Sequence, residues 1–470
     1  VPLTRAIASV SRSLLVAVAL LLLVGLLTAL SMGVGLKNTA MLCAILSVLM
    51  LVTGSHAIAA LDVRMTLLTG SAVILACLPA LLLNRWLIIP VGGAVVFLST
   101  LMGVIGPRFG AWGMSTAMAV VYTAGTAAIH RDGSGVLLWG KTELVVTVIL
   151  ATLVASALGW AMVFRKDDGV LDKAAQDPPD LELLLLNGLV VGTAPARIVD
   201  PAAAAGTLVR IPGAVRRRVA LAIASSLTSR QSAELHQGLR MFVALTVAWV
   251  VILLNPGMPL TLVMLMTTLA MLTPETHATW SQVSARLLSS AVGAGLAIGM
   301  TWLLSGQPHG RTIAMSIGVL ALLVQVAYLA RPIVSAGASV LATSAIPLLG
   351  WSGSPVRYAL VYLAVMVVLA LLAVALDRFG PVREIGDEEA LGAMRLLIET
   401  PPRTREWRRL WARAATVEST TRYGAVLEPE LADAMRTIRL ATAFSVADGD
   451  RWNRIALQAY DRAVEFASRR

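Results

Sequence analysis

The sequence predicts an all-α polytopic membrane protein: two parallel six-helix transmembrane repeats plus cytoplasmic helical segments. Three observations predict it. Hydrophobic residues make up 57 % of the 470-residue chain and charged residues only 14 %, with a mean hydropathy of +0.79; soluble domains carry about 25 % charged and 45–50 % apolar residues. The charge is also unevenly distributed. Between Met241 and Leu376 there are four arginines (Arg286, Arg311, Arg331 and Arg357), no lysine and one acid, Glu275, whereas Asp377 to Arg470 holds 16 Arg and 15 Asp or Glu. The first composition suits hydrocarbon and the second suits water. Third, the two apolar halves repeat each other's motifs in order.

A membrane helix needs roughly 20 apolar residues to cross about 30 Å of hydrocarbon. In the first half spans are expected near 13–32, 38–53, 65–83, 86–105, 111–128 and 142–164. In the second half they fall near 240–254, 259–273, 286–304, 311–329, 333–349 and 355–376. Polar and turn-forming residues mark the breaks: Gly33/Gly35/Lys37, Asp62/Arg64, Asn84/Arg85, Pro107/Arg108 and His130-Arg131-Asp132-Gly133. Later come Asn255-Pro256-Gly257, Pro274-Glu275, Pro308-His309-Gly310, Arg331-Pro332 and Ser352-Gly353-Ser354-Pro355. Trp86, Trp112, Trp139, Trp160, Trp302 and Trp351 sit near span ends, as an interfacial aromatic belt places them.

The N-terminal run from Leu14 to Leu30 follows Arg5 and Arg12 and ends in Ala29-Leu30-Ser31, which resembles a cleavage site. It is longer than a usual signal core and is matched later in the chain, so a retained first span is expected. With that end inside, the cytoplasmic side receives Arg5, Arg12, Arg64, Arg108, Arg165, Lys166, Arg240, Arg286, Arg331 and Arg378. The outer side receives Lys37, Arg85, Arg131, Lys141, Arg311 and Arg357. Both termini are then cytoplasmic. The net charge of +11 is spread over loops, linker and tail, which argues against nucleic acid as a partner. Cys43 and Cys77 lie in apolar runs and read as buried thiols, with no metal site.

The repeat is visible residue by residue. Thr53-Gly54-Ser55-His56-Ala57 faces Thr273-Pro274-Glu275-Thr276-His277-Ala278, and Arg64-Met65-Thr66-Leu67-Leu68 faces Arg286-Leu287-Leu288-Ser289-Ser290. Pro107-Arg108 opens a span with Gly113-Met114-Ser115-Thr116; Arg331-Pro332 opens one with Gly337-Ala338-Ser339-Val340. The offset drifts from 220 (Thr53 to Thr273) to 224 (Gly113 to Gly337). Six spans per half bring both halves in from the same side, so the repeats are parallel, with a solute route expected between them. The chain therefore divides into a first repeat (1–164), a cytoplasmic linker with helices (165–237), a second repeat (238–377) and a cytoplasmic helical tail (378–470).

In the linker, Asp180 to Val191 predicts a helix, and Arg216-Arg217-Arg218 introduces another carrying Val219, Leu221, Ile223 and Leu227. In the tail, Thr404 is placed to cap a helix with Trp407, Leu410, Trp411 and Ala414 on one side and Arg405, Arg408, Arg409 and Arg413 elsewhere. That helix suits either an anionic lipid surface or a soluble bundle. Asp450 begins a last helix, with Trp452, Ile455, Ala459, Ala463 and Phe466 at helical spacing. Linker and tail are expected to pack together.

Leu272-Thr273-Pro274, His277-Ala278-Thr279-Trp280, Arg286 and Gly293-Ala294-Gly295 resemble the membrane module of the fusaric acid resistance and aromatic acid exporter (FUSC-like) proteins. Ala327-Tyr328-Leu329-Ala330-Arg331 with Leu341-Ala342-Thr343-Ser344 is similar to that family's fifth-span opening. Gly54 replaces the family's Pro in the first half, and its Tyr-Trp pair before the second span is absent from both halves. The resemblance spans roughly residues 10–165 and 238–378. It implies a bacterial inner-membrane exporter of small organic, chiefly aromatic, acids or related toxic compounds, driven by the proton gradient. It also leaves room for a homo-oligomer and a periplasmic adaptor, beside a small organic anion as substrate and the lipid bilayer.

Such an exporter needs positive charge at its inner mouth and a slot for a flat apolar body. Arg64, Arg286, Arg108 and Arg331, two per half, suit bidentate carboxylate capture; positive-inside topology alone supplies the same arginines. Thr273 and Thr343 are candidate lining residues beside Thr116, Thr123 and Ser344, although a hydroxyl in hydrocarbon often bonds back to its own helix. His56 and His277 are a matched titratable pair suited to proton coupling, and Asp62 and Glu275 are the acids at the same turns. Glu143 and Lys141 are expected to pair locally. Phosphate-binding Gly-Lys-Ser/Thr loops, His-Glu-x-x-His, paired metal-spaced Cys and Gly-x-Ser-x-Gly elbows are all missing, so no enzyme and no cofactor is expected. Two other function classes stay open: a passive anion channel with the same arginine rim, and a non-transporting membrane scaffold whose tail recruits partners.

Overall fold

The computed structural model describes residues 22–36, scattered positions within 39–50, 63–82, 86–129, 141–164, 181–190, 192–196, 207–227, 233–255, 264, 268, 280–327, 337–338, 340–341, 354–378, 386–402, 404–422, 428–445 and 449–469. Nearly all of these residues are helical. In chain order the first-half helices are α1 (Leu22–Gly33), α2 (Val63–Leu82), α3 (Ile88–Leu101), a 3-10 turn (Met102–Val104), α4 (Pro107–Ile129) and α5 (Lys141–Phe164). The linker contributes α6 (Leu181–Val190), β1 (Thr193–Pro195), β2 (Leu208–Arg210) and α7 (Gly213–Leu227). The second half has α8 (Ala233–Leu254), α9 (Trp280–Leu304), α10 (Gly310–Ala327) and α11 (Pro355–Arg378). The tail adds α12 (Asp387–Glu399), α13 (Arg405–Arg422), α14 (Pro429–Phe444) and α15 (Gly449–Ser468).

Among the described residues, two helical segments are long and apolar enough to cross a membrane, Glu234–Leu254 and Leu287–Leu304. Shorter apolar segments recur at Gly70–Pro79, Ile88–Val104, Phe109–Val121, Thr142–Leu158 and Leu360–Leu372. Two of these helices, α9 and α5, turn large apolar side chains outward over smaller buried ones. On α9 the large side chains Leu288, Val292, Leu296, Trp302 and Leu303 are exposed, while Ser290, Ala294, Ala297 and Thr301 face inward. On α5, Val146, Ile149 and Leu153 are exposed over buried Thr147, Ala151, Thr152 and Ala155. Small and hydroxylated residues let helices approach closely, and their buried hydroxyls bond to the previous turn, as Thr152 to the Val148 carbonyl (2.7 Å) and Thr301 to Ala297 (2.7 Å).

In the first half α2 packs on α3, α4 and α5, and α4 on α3; in the second half α9 packs on α10 and α11, and α8 on α11. The halves meet where α3 lies along α8. Gly93 of α3 receives the Phe242 ring of α8, and Gly238 of α8 receives the Phe97 ring of α3. A Cβ at Gly93 would meet that ring at 2.8 Å, and one at Gly238 would meet Phe97 at 2.9 Å. The crossed order of the contacts makes the two helices antiparallel.

The linker and tail share one core: Leu184, Val215, Val219, Met394, Trp407, Trp411, Met435, Ile438, Trp452 and Ile455 belong to it, together with Ile105 of the α3–α4 connection and Phe109 at the start of α4. Here the polarity is that of a water-soluble bundle, with apolar residues inside. Thr404 caps α13 by accepting the Trp407 N–H (3.0 Å). Several details differ from the sequence expectation. The apolar face of α13 is buried against the linker and α14, with Trp407 and Trp411 both at 0 % exposure, so it does not lie on lipid. On α7 the buried face is Val215, Val219, Ala222 and Ser226, and Leu221 is exposed. The linker also holds a short antiparallel pair, Thr193 opposite Arg210 through Pro195 opposite Leu208. It follows Gly192, whose φ of +82° turns the chain out of α6. Finally, α8 begins at Ala233, several residues before the expected span start, because Glu234 and Gln237 are buried in the same continuous helix.

Candidate functional site

Two places gather unusual chemistry: the seam between the halves, and the junction where linker and tail grip the α3–α4 connection.

The seam is built by α3, α4, α8, α9 and α11. Its buried core joins Val96, Ala117 and Val121 of the first half to Leu245, Trp249, Ala294, Tyr358 and Tyr362 of the second. Tyr358 and Tyr362, one turn apart on α11, are both fully buried, with ring planes 5° from parallel and centroids 6.4 Å apart. On α5 the inward positions at the same spacing are Leu144, Val148, Ala151 and Ala155, against Tyr358, Tyr362, Val365 and Leu369 on α11. At these matched positions the second half carries the aromatic side chains.

Beside the seam, in the first half, Thr147 donates to Thr39 (2.6 Å) and Thr39 to the Glu143 carboxylate (3.3 Å). Both threonines are fully buried. Glu143 thus has a cross-helix hydroxyl partner, where the sequence suggested only a local pairing with Lys141.

The sequence-derived site residues are placed as follows. Arg64 is the second residue of α2, Arg108 the second of α4 and Arg286 the seventh of α9. The side chains of these three arginines lie outside the described residues, as do Arg331, Thr273, Thr343, His56, His277, Asp62 and Glu275 altogether. Thr116 is buried and bonds back to the Trp112 carbonyl (3.0 Å), the self-satisfying geometry expected of a hydroxyl in a helix.

The junction was not singled out in the sequence. Arg439 of α14 is buried (1 % side-chain exposure) and pairs with equally buried Glu418 of α13 at 2.6 Å. Its Nη1 donates to the Val104 carbonyl (3.1 Å) and its Nη2 to the Ile105 carbonyl (3.3 Å). The guanidinium lies over the Trp411 ring at 4.3 Å, and Trp411 Nε1 donates to the Arg439 carbonyl (3.0 Å). Arg436 bonds the other Glu418 oxygen at 2.8 Å and Asp433 at 2.7 Å. Burial pushes the Arg436 pKa down, but the Glu418 charge and hydrogen bond, with Asp433 and Glu182 behind them, outweigh it and raise it overall. Glu182 of α6, itself buried, reaches the same connection at Gly106, where any Cβ would collide with its carboxylate. A signal for this existed in the sequence. Leu431, Met435, Ile438/Arg439 and Thr442 follow core spacing, so Arg439 occupies an apolar stripe, where a charge needs a partner.

No family model matches this chain, and no curated protein or solved structure matches it either.

Proposed function

We propose that the chain is a multi-pass inner-membrane exporter of small organic acids, aromatic ones foremost, or related toxic compounds, driven by the proton gradient, with both termini cytoplasmic. The observation that carries it is the seam: a buried core shared by the two halves, with Tyr358 and Tyr362 in it, beneath outward-facing apolar side chains. Exposed apolar bands on α5, α9 and α11 are stable facing lipid tails and costly facing water. The parallel repeat is supported by matching neighbours: α2 packs on α3 and α5 as α9 packs on α10 and α11. Repeats of this kind place the solute route between them. The resemblance to the aromatic acid exporters supplies the substrate class.

In this mechanism Arg64 and Arg108 of the first half, with Arg286 and Arg331 of the second, form a cationic inner rim that captures a carboxylate. Thr273 and Thr343 line the approach, and the flat apolar body of the substrate passes between the halves. His56 and His277, with Asp62 and Glu275, take up and release the coupling proton. Energised cells expressing the protein should extrude benzoate, uncouplers should stop it, and Arg64→Ala and Arg286→Ala should each lower the rate about tenfold or more, as loss of a charge-assisted pair of 1.5–3 kcal/mol implies. Efflux indifferent to uncouplers, with currents reversing at the anion equilibrium potential, would instead mark a passive anion channel. Absent efflux with a lost partner in pull-downs would mark a scaffold.

A further inference from the structure

The connection between α3 and α4, Met102-Gly103-Val104-Ile105-Gly106, is a membrane-module turn held by residues that come from elsewhere in the chain. Arg439 reaches it from α14 through two backbone carbonyls, Val104 and Ile105. Glu182 reaches it from α6 at Gly106. Ile105 and, one turn into α4, Phe109 complete the linker–tail core beside Leu184, Val215 and Trp411. The turn is thus gripped from both soluble segments.

A core-filling role alone does not account for Arg439. A buried ion pair is commonly replaced by apolar side chains of similar size without loss of stability, and the α14 stripe around it, Leu431, Met435 and Ile438, is apolar. What a methionine or leucine could not do is bridge two carbonyls of a distant turn with one planar fork while its third bond holds Glu418 at 2.6 Å. That turn leads directly into Pro107 and Arg108.

We infer that Arg439 is a positioning residue: anchored by Glu418 and Trp411, it holds the 102–106 turn and so fixes the start of α4, whose second residue is Arg108. The role of Arg108 rests on the exporter reading; the hold on the turn does not. Tail and linker then form a platform that keeps the first half's inner end in place while solute is captured.

Hydrogen–deuterium exchange on the full chain in lipid nanodiscs, paired with benzoate efflux, tests this with Arg439→Lys, Arg439→Met and the wild type. Arg439→Met should speed exchange at residues 105–112 about tenfold while α15 keeps its wild-type protection. In efflux it should raise the half-saturating benzoate concentration and leave the maximal rate nearly unchanged. Arg439→Lys should fall between the two, because an ammonium can keep Glu418 but cannot span both carbonyls. Unchanged exchange at 105–112 overturns the proposal, and so does a uniform rise through α12–α15, which would mark a packing residue only. If the wild type fails to move benzoate, the exporter reading falls while the exchange arm still decides the hold on the turn.

Discussion

Glu418 shows how far a single buried carboxylate is committed. Each of its oxygens accepts from a different arginine, Arg436 at 2.8 Å and Arg439 at 2.6 Å, and its side chain is 1 % exposed. Buried charges are tolerated when every lone pair is used and become costly when one partner is taken away. Glu418→Ala should therefore destabilise the linker–tail core by about 3–5 kcal/mol, because Arg439 would remain buried with its charge uncompensated. Arg413→Ala, which removes an exposed pair with Glu389, should change stability by less than about 1 kcal/mol. Denaturant unfolding of the purified chain followed by tryptophan fluorescence checks both, since Trp407 and Trp411 lie in that core. Equal effects for the two variants would mean the Glu418 pair is better solvated than its burial implies.

At the scale of elements, the α3–α8 contact depends on two glycines placed opposite two phenylalanines. Gly93→Leu would have to displace the Phe242 ring that a Cβ already meets at 2.8 Å, an overpacking that costs about 1–3 kcal/mol. Gly93→Leu combined with Phe242→Ala should recover most of the loss, and thermal melting of single and double variants in detergent measures the coupling. Full additivity would show that the two helices do not share this contact. Helices like these were legible from apolar runs and break residues, and so were the Thr404 cap and the Trp407/Trp411 stripe. The β1–β2 pair was not, since Thr193-Ala194-Pro195 has no strand alternation and is set against Leu208–Arg210 just after the positive-φ turn at Gly192. The inward face of α7, Val215, Val219, Ala222 and Ser226, was not assigned from the sequence, because the periodicity of a short basic helix does not fix which side meets α13. Glu182 meets Gly106 from 76 positions away and Arg439 meets Val104 from 335, and no local pattern encodes which turn they reach.

For the molecule as a whole, the seam, the platform and the inner rim make sense only if α9 crosses lipid with the tail on one side and the α9–α10 connection on the other. Arg395 of α12 and Gln307 of that connection are both exposed, and the native thiols Cys43 and Cys77 are buried, so single cysteines at 307 and 395 report on sidedness against a quiet background. Alternating spans with a cytoplasmic N-terminus put 307 outside and 395 inside. Gln307→Cys should react with a membrane-impermeant maleimide on intact spheroplasts, and Arg395→Cys only after permeabilisation. Labelling of both positions from the same side would leave α9 unable to span. Two halves entering from one face would then no longer be possible, and the aromatic surface of Tyr358 and Tyr362 would be the core of a protein that lies against a membrane, with no passage through it.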